Sequence, residues 1–534
     1  MNNDLFKAGV SRRGFLTGSA ALCVMAGLTG CGGSGAESGS AAATGQDVEY
    51  RDELQIALPA SPDGLDPHTT SSLVTMDVIC NVVEPLFGLD SDYEPRPVLA
   101  KGYEVSDDGL TYTIKLREDV TFHNGKEFGS EDVVASMNRW LTVNDRAASL
   151  LPGATFAASG DHEVTCTLTE PAIDFLIILG NHSQYPGIFP SEVIEAAGDT
   201  GVTEYVGTGA YKFVEWKQDQ YVHLTRYEDY VAAHGKASGY TGKVSAPTKD
   251  IYYQFVTEAS TRVSGFETGE YDIAGEIPTE NYHDFDGNDD VKLYTHNAGV
   301  LTAFLNMNEG VFADEEIRKC ALMAIDCEAA ALAAYGEKEL FNIDPNLGNP
   351  ENTQWATDAG KKYFNQADAK AAKKALAKTS YAGETVKLLT TPDYKDMYNA
   401  TVALQEQLEK AGFTAEVDSY EFATFMDIRS GKPEQWDLFV ASTNYKPIPA
   451  QSLSVSKAFY GLSDEKALKL VAETRTAKDT DAAAKKWAEA QERLYEIAVI
   501  EPLCHYASIT GTQADVEDVE VLDGAIVWNA KRPE

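Results

Sequence analysis

The sequence is poor in cysteine and in basic residues, and it has no long apolar run beyond its N-terminal segment. Only seven cysteines occur among 534 residues, and their spacing gives neither a C-x-x-C zinc pattern nor a disulfide framework. There are 44 Lys and Arg residues against 83 Asp and Glu residues, a net charge of −39. Because such an acidic chain repels polyanions, we expect no nucleic acid partner.

The motifs that mark common enzyme chemistries are also missing. Nine histidines occur without an H-E-x-x-H or H-x-H pattern, and neither a G-x-S-x-G elbow nor a P-loop is present. His123 lies beside a turn, where we expect a structural role. Gly207 and Gly209 have no third glycine or helix pattern after them, so a close backbone crossing explains them better than a phosphate loop. We therefore expect no enzyme, no cofactor and no metal site.

Residues 1–31 have the features of an export signal. Ser11-Arg12-Arg13-Gly14-Phe15-Leu16 matches a twin-arginine motif, and the apolar region Ala20 to Leu28 is too short to span a bilayer well. Leu28-Thr29-Gly30-Cys31 fits a lipobox. This resemblance to bacterial lipoproteins implies cleavage before Cys31 and attachment of a diacylglycerol group to its sulfur.

Residues 32–46 are rich in Gly, Ser and Ala, a composition typical of a flexible tether. We therefore expect an exported protein that a lipid anchors to the outer face of the bacterial cell membrane, or to its periplasmic side. The remaining chain is too long for one hydrophobic core and predicts two or three domains.

Residues 82–141 predict a small α+β layer. Thr111 to Leu116 alternates like a half-buried strand, between turns at Asp107-Asp108-Gly109 and Asn124-Gly125. Ser130 is the expected N-cap of a following helix. The apolar residues Val133, Val134, Met137, Trp140 and Leu141 would share one face of that helix.

Two later segments also predict clear elements. Asp314 to Tyr335 reads as one long helix with Gly336 beyond its end, and Cys320 and Cys327 would both lie on it. Residues 385–420 read as strand, helix and strand, which favours a parallel, right-handed βαβ pairing.

Several short motifs follow one another between residues 85 and 133. They are Pro85-Leu86-Phe87, Leu99-Ala100, Ser106-Asp107-Asp108-Gly109-Leu110-Thr111-Tyr112, Leu116-Arg117, Phe122-His123-Asn124-Gly125 and Asp132-Val133. Their order resembles that of a known family, the extracellular solute-binding proteins of family 5, which serve peptide and nickel ABC transporters. A second segment, 206–213, resembles the family's Gly-Thr-Gly-Pro-Tyr motif with Ala210 in place of proline.

The resemblance implies an α/β fold: a two-lobed periplasmic-binding-protein clamshell of the large, cluster C type, with an extra subdomain inserted in lobe one. It covers nearly the whole mature chain. We expect lobe one to combine 47–82, 206–295 and 500–534, the inserted subdomain to be 83–205, and lobe two to be 296–499.

The resemblance also indicates where the ligand-binding residues lie. In oligopeptide-binding relatives a loop of the second lobe supplies a Trp and an Asp, and the Asp pairs with the terminal ammonium of the peptide. The matching loop here, 440–447, has neither. An ungapped count puts Lys446 at the acidic position, whereas alignment on the tyrosine puts Asn444 there. Either Lys446 meets an anionic group of the ligand, or it is a solvated lysine and another acid binds the ammonium.

We expect the loop around Asp66-Pro67 to form an Asx-type turn. Arg146 follows the helix of the signature region, where relatives approach the cleft. The candidate ligand-binding residues are Ser61, Arg146, Thr443, Asn444, Tyr445 and Lys446.

The resemblance also implies a function for this protein. We expect a monomeric receptor that captures a peptide or peptide-like solute and delivers it to the permease subunits and ATPases of an ABC importer. The alternatives are a ligand-sensing or adaptor protein with the same clamshell, an exported hydrolase, or a binder of a metal chelate such as nickel.

Overall fold

The structure is a computed structural model that describes residues 49–451 and 455–534. The predicted export signal, Cys31 and the tether lie outside the described residues. Within those residues no helix is both long and apolar enough to cross a bilayer.

The strands of the described chain are mostly short, and two of them are long. In chain order they are β1 (Glu53–Leu58), β2 (Phe87–Leu89), β3 (Pro95–Pro97), β4 (Ala100–Val105), β5 (Thr111–Leu116), β6 (Thr155–Gly160), β7 (Glu163–Thr167), β8 (Tyr211–Lys217), β9 (Tyr221–Arg226), β10 (Asp250–Phe255), β11 (Ile273–Ala274), β12 (Val291–Leu305), β13 (Phe341–Asn342), β14 (Thr385–Thr390), β15 (Thr414–Ser419), β16 (Leu438–Asn444), β17 (Ile500–Gln513), β18 (Glu520–Val521) and β19 (Ala525–Ile526).

The helices of the described chain pack on both sides of these strands. In chain order they are α1 (Leu73–Ile79), α2 (Ser130–Val143), α3 (Asp145–Leu150), α4 (Phe175–Leu179), α5 (Ser191–Ala197), α6 (Ala259–Glu267), α7 (Tyr282–Phe285), α8 (Glu315–Ala324), α9 (Cys327–Tyr335), α10 (Ala369–Leu376), α11 (Lys395–Lys410), α12 (Phe422–Gly431), α13 (Lys457–Tyr460), α14 (Glu465–Arg475) and α15 (Thr480–Glu496). Short 3-10 helices lie at His182–Gln184, Thr279–Asn281, Val311–Ala313, Lys338–Leu340, Pro433–Gln435 and Pro449–Gln451.

One continuous sheet runs through both halves of the molecule, in the order β15-β14-β16-β12-β17-β11-β1-β10-β9-β8. Its centre is the antiparallel pair β12 and β17, which stay paired from Val291–Gln513 to Phe304–Ile500. A bulge interrupts their register between Asn297 and Gly299. The half with β14, β15 and β16 is lobe two, and the half with β1, β8, β9 and β10 is lobe one.

Each half of the molecule has its own hydrophobic core. The lobe-two core is built around Phe304, Phe439 and Trp487, and the lobe-one core around Tyr211 and Tyr253. A third core supports the separate four-stranded sheet β4-β5-β7-β6, which α2 covers. The sheet of this third unit lies within residues 83–205, for which an inserted subdomain stays our prediction.

Strand β17 passes from one lobe to the other within its own length. Ile500, Leu503 and Cys504 pack in the lobe-two core, whereas Ile509 packs in a small cluster with Phe266 of lobe one. The lobe ranges predicted from the sequence stay predictions, but the strand that we assigned to lobe one begins inside the core of lobe two.

Several predicted elements are confirmed. Strand β5 spans Thr111–Leu116 as expected, and β14 pairs in parallel with β15 across the helix α11. The Asx turn at Asp66 is present, since its carboxylate accepts a hydrogen bond of 3.0 Å from the His68 amide. That carboxylate also accepts a 2.7 Å bond from the Arg139 guanidinium, with both side chains buried.

Two helix predictions are wrong. Helix α2 begins at Ser130 itself, because Gly129 is the N-cap and the Asp132 carboxylate accepts a hydrogen bond from the Gly129 amide. The long helix predicted over 314–335 is two helices, and Asp326 caps the second by accepting a hydrogen bond from the Ala329 amide. Cys320 and Cys327 therefore lie on different helices, and all five described cysteines are free and buried.

The close backbone crossing predicted at Gly207 and Gly209 is confirmed. A Cβ atom on Gly207 would lie 2.0 Å from the Val82 carbonyl oxygen, and one on Gly209 would lie 2.4 Å from the Asn81 carbonyl oxygen. His123 joins this crossing, since its Nε2 donates to the Gly209 carbonyl at 2.8 Å and its Nδ1 accepts from the Gly207 amide. These bonds give His123 the structural role that we expected.

The buried Glu501 on β17 predicts how stability depends on pH. Burial raises the pKa of Glu501 from 4.5 to about 8, so the unfolded chain ionises at a pH where the folded chain still holds the proton. This group therefore lowers the free energy of unfolding as the pH rises from about 4.5 to about 8, by up to about 1.4 kcal/mol per pH unit. The variant Glu501→Gln should lose this pH dependence in urea unfolding between pH 6 and pH 8.

The exposed Glu434→Gln is the matched control and should keep the slope of the wild-type chain. Equal slopes for Glu501→Gln and the wild-type chain would contradict the assignment.

Candidate functional site

A cavity of about 950 Å³ lies between the two lobes. Lobe one and the inserted subdomain contribute Thr69–Ser71, Asn144–Arg146 and Glu276–Thr279, and lobe two contributes α12 and the end of β16. The central strands supply the wall between them through residues 296–298 and 506–509. The volume falls in the range of sites that enclose small molecules.

The end of β16 delivers four of the predicted residues to this cavity. Thr443 and Asn444 pair with Val300 and Gly299 of β12, and the chain then runs on through Tyr445 along the cavity wall. A Cβ atom on Gly299 would lie 2.3 Å from the Thr443 carbonyl oxygen. This close approach of the two strands fixes where the loop leaves the sheet.

Hydrogen bonds within the protein already occupy three of these four side chains. The Thr443 hydroxyl donates to the Val300 carbonyl at 3.4 Å, and Asn444 Oδ1 accepts from the Tyr506 hydroxyl at 2.9 Å. The Tyr445 hydroxyl donates to His505 Nδ1 at 2.5 Å. Burial lowers the pKa of His505 to about 4, which keeps its ring neutral and able to accept this bond.

Lys446 is different, because its ammonium group has no hydrogen bond and no ion pair within residues 49–451 and 455–534. The side chain is half-buried on the cavity wall. Burial and the nearby Arg146 lower the pKa of Lys446 to about 8, while Asp523 acts in the opposite direction. An ammonium group held in this way lacks an anionic partner.

Arg146 and Arg429 are two further cations on the cavity wall, and neither forms an ion pair in the described part of the chain. Arg146 donates to the Gln451 carbonyl oxygen at 2.8 Å. Arg429 on α12 stacks over Phe459, with its Cζ 4.3 Å from the ring centroid, and its Nε is buried without a partner. Burial lowers the pKa of both guanidinium groups.

Sequence reasoning missed Arg429 and the apolar wall around it. Helix α12 places Phe422, Phe425 and Met426 on the cavity together with Phe459. The aromatic spacing of 422–425 was a usable signal for a helix face, but nothing in it distinguished a cavity wall from a core.

The carboxylates of Glu276 and Asp523 line the same cavity, as does that of Asp145. Glu276 adopts a left-handed backbone conformation, φ +47°, which is strained for a residue with a side chain. Burial raises the pKa of both Glu276 and Asp523, and the nearby Asp77 adds to each rise. Among the described residues neither carboxylate has an ion pair, so the cavity presents unpaired groups of both signs.

Ser61 is the predicted residue that does not line this cavity. Its hydroxyl is buried without a hydrogen-bond partner. The ligand-binding role of Ser61 stays a prediction.

A buried ion pair joins the inserted subdomain to lobe two beside the cavity. Arg475 donates to the two Asp174 carboxylate oxygens at 2.8 and 3.2 Å and to the Leu150 carbonyl at 2.7 Å. The Gln451 amide donates to the same carboxylate at 3.0 Å. The Asp174 side chain is 0% exposed. We call this contact between the lobes the Asp174 latch.

The variant Arg475→Met should shift the protein toward an open arrangement of the lobes. The loss of the Arg475 guanidinium leaves the Asp174 carboxylate buried without a counter-ion, which costs the closed state about 3 kcal/mol. A cost of that size changes the ratio of closed to open molecules about a hundredfold. Small-angle scattering without ligand should show a larger radius of gyration.

Lys469→Met, which removes an exposed ion pair on the same helix, is the control and should scatter like the wild-type chain. An unchanged radius of gyration for Arg475→Met would show that the latch does not hold the lobes together.

No group of three His, Cys, Asp or Glu side chains that could hold a metal ion occurs among the described residues. The side chains that line the cavity are charged and aromatic and come from both lobes, and two strands that cross between the lobes form its central wall. This arrangement defines a solute-binding protein whose lobes close on a ligand.

Comparisons with known proteins give the family. A model described as "Bacterial extracellular solute-binding proteins, family 5 Middle" matches residues 94–464. The chain belongs to this family.

The individual relatives share only about a quarter of their residues with this chain. The chain is similar to a probable peptide ABC transporter periplasmic-binding protein, y4tO, of Sinorhizobium fredii, with 27% identity over 74% of this chain and 77% of the relative. It is 26% identical to the glutathione-binding protein GsiB of Salmonella paratyphi A, over 69% of this chain and 70% of that protein.

Among solved structures, NikA from Brucella suis in complex with Fe(III)-EDTA superposes with a TM-score of 0.76 at 21% identity, over 90% of this chain and 100% of that chain. This likeness confirms the two-lobed α/β fold that we expected.

Proposed function

We propose that this protein is the substrate-binding lipoprotein of an ABC importer, and that it captures a peptide or peptide-like solute in the cavity between its lobes. It then delivers the solute to the membrane permease subunits, which their ATPases drive. In this proposal the chain is exported through its twin-arginine signal, anchored by lipid on Cys31, monomeric and not an enzyme.

The observation that carries the proposal is the unpaired Lys446 ammonium in a cavity of about 950 Å³. A buried charge without a counter-ion is costly, and a ligand with an anionic group removes that cost. Relatives named for peptide transport and for glutathione binding support a peptide or peptide-like ligand.

Each predicted residue has a distinct role in this proposal. Lys446 pairs with a carboxylate or another anionic group of the ligand, and Arg146 adds positive charge beside it. Thr443, Asn444 and Tyr445 shape the wall through the hydrogen bonds that already hold them. An apolar ligand side chain packs against the aromatic residues of α12.

A metal chelate is the second candidate, and the cations of the cavity favour it. The structure of NikA contains Fe(III)-EDTA, an anionic complex in which the chelator rather than the protein surrounds the metal. Lys446, Arg146 and Arg429 would suit such an anion equally well, so the ligand itself must be identified.

Native mass spectrometry of the full-length chain in mild detergent tests the proposal. We expect the protein to retain members of a tripeptide mixture and not Fe(III)-EDTA or nickel chelates when both are offered together. Retention of the chelates alone would favour the second candidate. Turnover of the peptides, lost on mutation of a single carboxylate, would identify an enzyme instead.

The variant Lys446→Met should weaken the binding of the retained peptides by about ten- to a hundredfold, the value of a charge-assisted hydrogen bond. Isothermal titration calorimetry measures this loss. Lys432→Met, which removes an exposed lysine of lobe two outside the cavity, is the control and should bind like the wild-type chain.

The pH dependence of binding gives a second readout. Since the pKa of Lys446 is about 8 in the free protein, wild-type affinity should fall as the pH rises through 8 and the ammonium group is lost. Lys446→Met should not show that fall. Unchanged affinity in Lys446→Met would remove Lys446 from the site.

A further inference from the structure

A second cavity of about 470 Å³ adjoins the main one. Both are lined by His296, Asn297 and Leu522, so these three residues form a neck between them. The outer walls of the second cavity are residues 91–94 of the inserted subdomain and residues 351–354 of lobe two. The two cavities together form an elongated space with the neck near its middle.

Asn297 at this neck has a hydrogen-bond acceptor without a donor. The residue is only 8% exposed, and its Oδ1 is buried with no partner. It sits where the bulge of β12 interrupts the pairing with β17, so its side chain leaves the regular pattern of the sheet. An unsatisfied buried acceptor costs about 1–3 kcal/mol, and a ligand donor would remove that cost.

Two carboxylates lie on either side of Asn297. Glu351 lies on the wall of the second cavity, with part of its side chain open to solvent. The burial of the rest raises the pKa of Glu351, and a hydrogen bond with the Asn297 side chain opposes the rise. Asp523 faces the main cavity. Neither carboxylate has an ion pair within the residues that the structure describes.

Tyr93 brings the inserted subdomain to the same place. Its backbone is left-handed, φ +61°, and the Asn349 amide of lobe two donates to its hydroxyl at 3.4 Å. Glu351 and Asp523 both act on the pKa of Tyr93, which they and burial raise well above its usual value. The turn at Tyr93 therefore forms the wall of the second cavity on the side of the inserted subdomain.

We propose that this neck is a subsite for a primary ammonium group of the ligand. Glu351 supplies the opposite charge, Asn297 Oδ1 accepts one hydrogen bond, and Asp523 offers a further acceptor. An ammonium group has three N–H donors and no acceptor, which matches the three acceptors that Glu351, Asn297 and Asp523 present around the neck. The inference rests on the proposed function, because it describes one end of the peptide-like solute.

The subsite accounts for the missing acid of the β16 loop. Lys446 in that loop would repel an ammonium group, whereas the carboxylates of Glu351 and Asp523 at the neck would attract one. The ligand then lies with its anionic group toward Lys446 and its ammonium group in the neck.

Three tripeptide pools with free carboxyl termini test the subsite. The first has free α-amines, the second is N-acetylated and contains no lysine, and the third is N-acetylated and contains lysine. By native mass spectrometry, the wild-type chain should retain the first pool at least about tenfold better than the second. Retention of the third pool would place a lysine side chain, rather than the α-amine, in the neck.

The variant Glu351→Gln should reduce the preference for the free-amine pool to about one, while Asp358→Asn, an exposed charge in the same segment, should keep it. The ratio of the two pools is the readout, since a purely structural role would weaken both equally.

Equal retention of the first two pools by the wild-type chain would overturn the subsite and leave the proposed function intact. Retention of none of the pools would overturn the proposed function and the subsite with it. An unchanged ratio in Glu351→Gln would exclude this carboxylate as the counter-ion.

Discussion

The antiparallel pairing of β12 and β17 is the constraint on which the rest of the molecule depends. The two strands stay paired over nearly their whole lengths, and each passes from the core of one lobe to the edge of the other. Because the pairing of β12 and β17 resumes beyond each bulge, the lobes share a sheet rather than a flexible linker. The cavity lies against that shared sheet, and its central wall is therefore the most firmly held part of the site.

Charge is distributed very unevenly between the cavity and the rest of the chain. The whole sequence has a net charge of −39, yet three cations line the cavity without an ion pair among the described residues. An acidic surface repels anionic solutes at long range, and salt screens this repulsion within about 10 Å. In the proposed function, selection for an anionic group takes place inside the cavity, where the local positive charges are only partly screened.

The sequence allowed much of the fold to be predicted, since strands such as β5 and the βαβ unit around α11 follow from alternation, apolar faces and turn residues. The resemblance to the family supplied the two lobes and the place of the β16 loop. The reading of residue patterns failed where a single side chain decides a boundary, as at Asp326, whose carboxylate starts a new helix inside an apolar pattern that continues across it.

The site was only partly predictable for the same kind of reason. The β16 loop and Arg146 were found because relatives place a loop there, and the structure brings them to one cavity. Arg429, Glu276, Asp523 and Glu351 come from four separate segments, and their meeting depends on packing between lobes. Within the part of the chain that the structure describes they form no ion pairs, and this property of the folded chain leaves no mark on a sequence pattern.

Gly299 shows how an absent side chain determines the position of a charge. Any Cβ atom there would collide with the Thr443 carbonyl oxygen and with the Tyr506 hydroxyl, at 2.3 and 2.4 Å. Relief of that collision would push β16 away from β12 and carry the following loop, with Lys446, across the cavity. The electrostatic recognition that we propose is therefore sensitive to one methyl group on a residue that carries no charge.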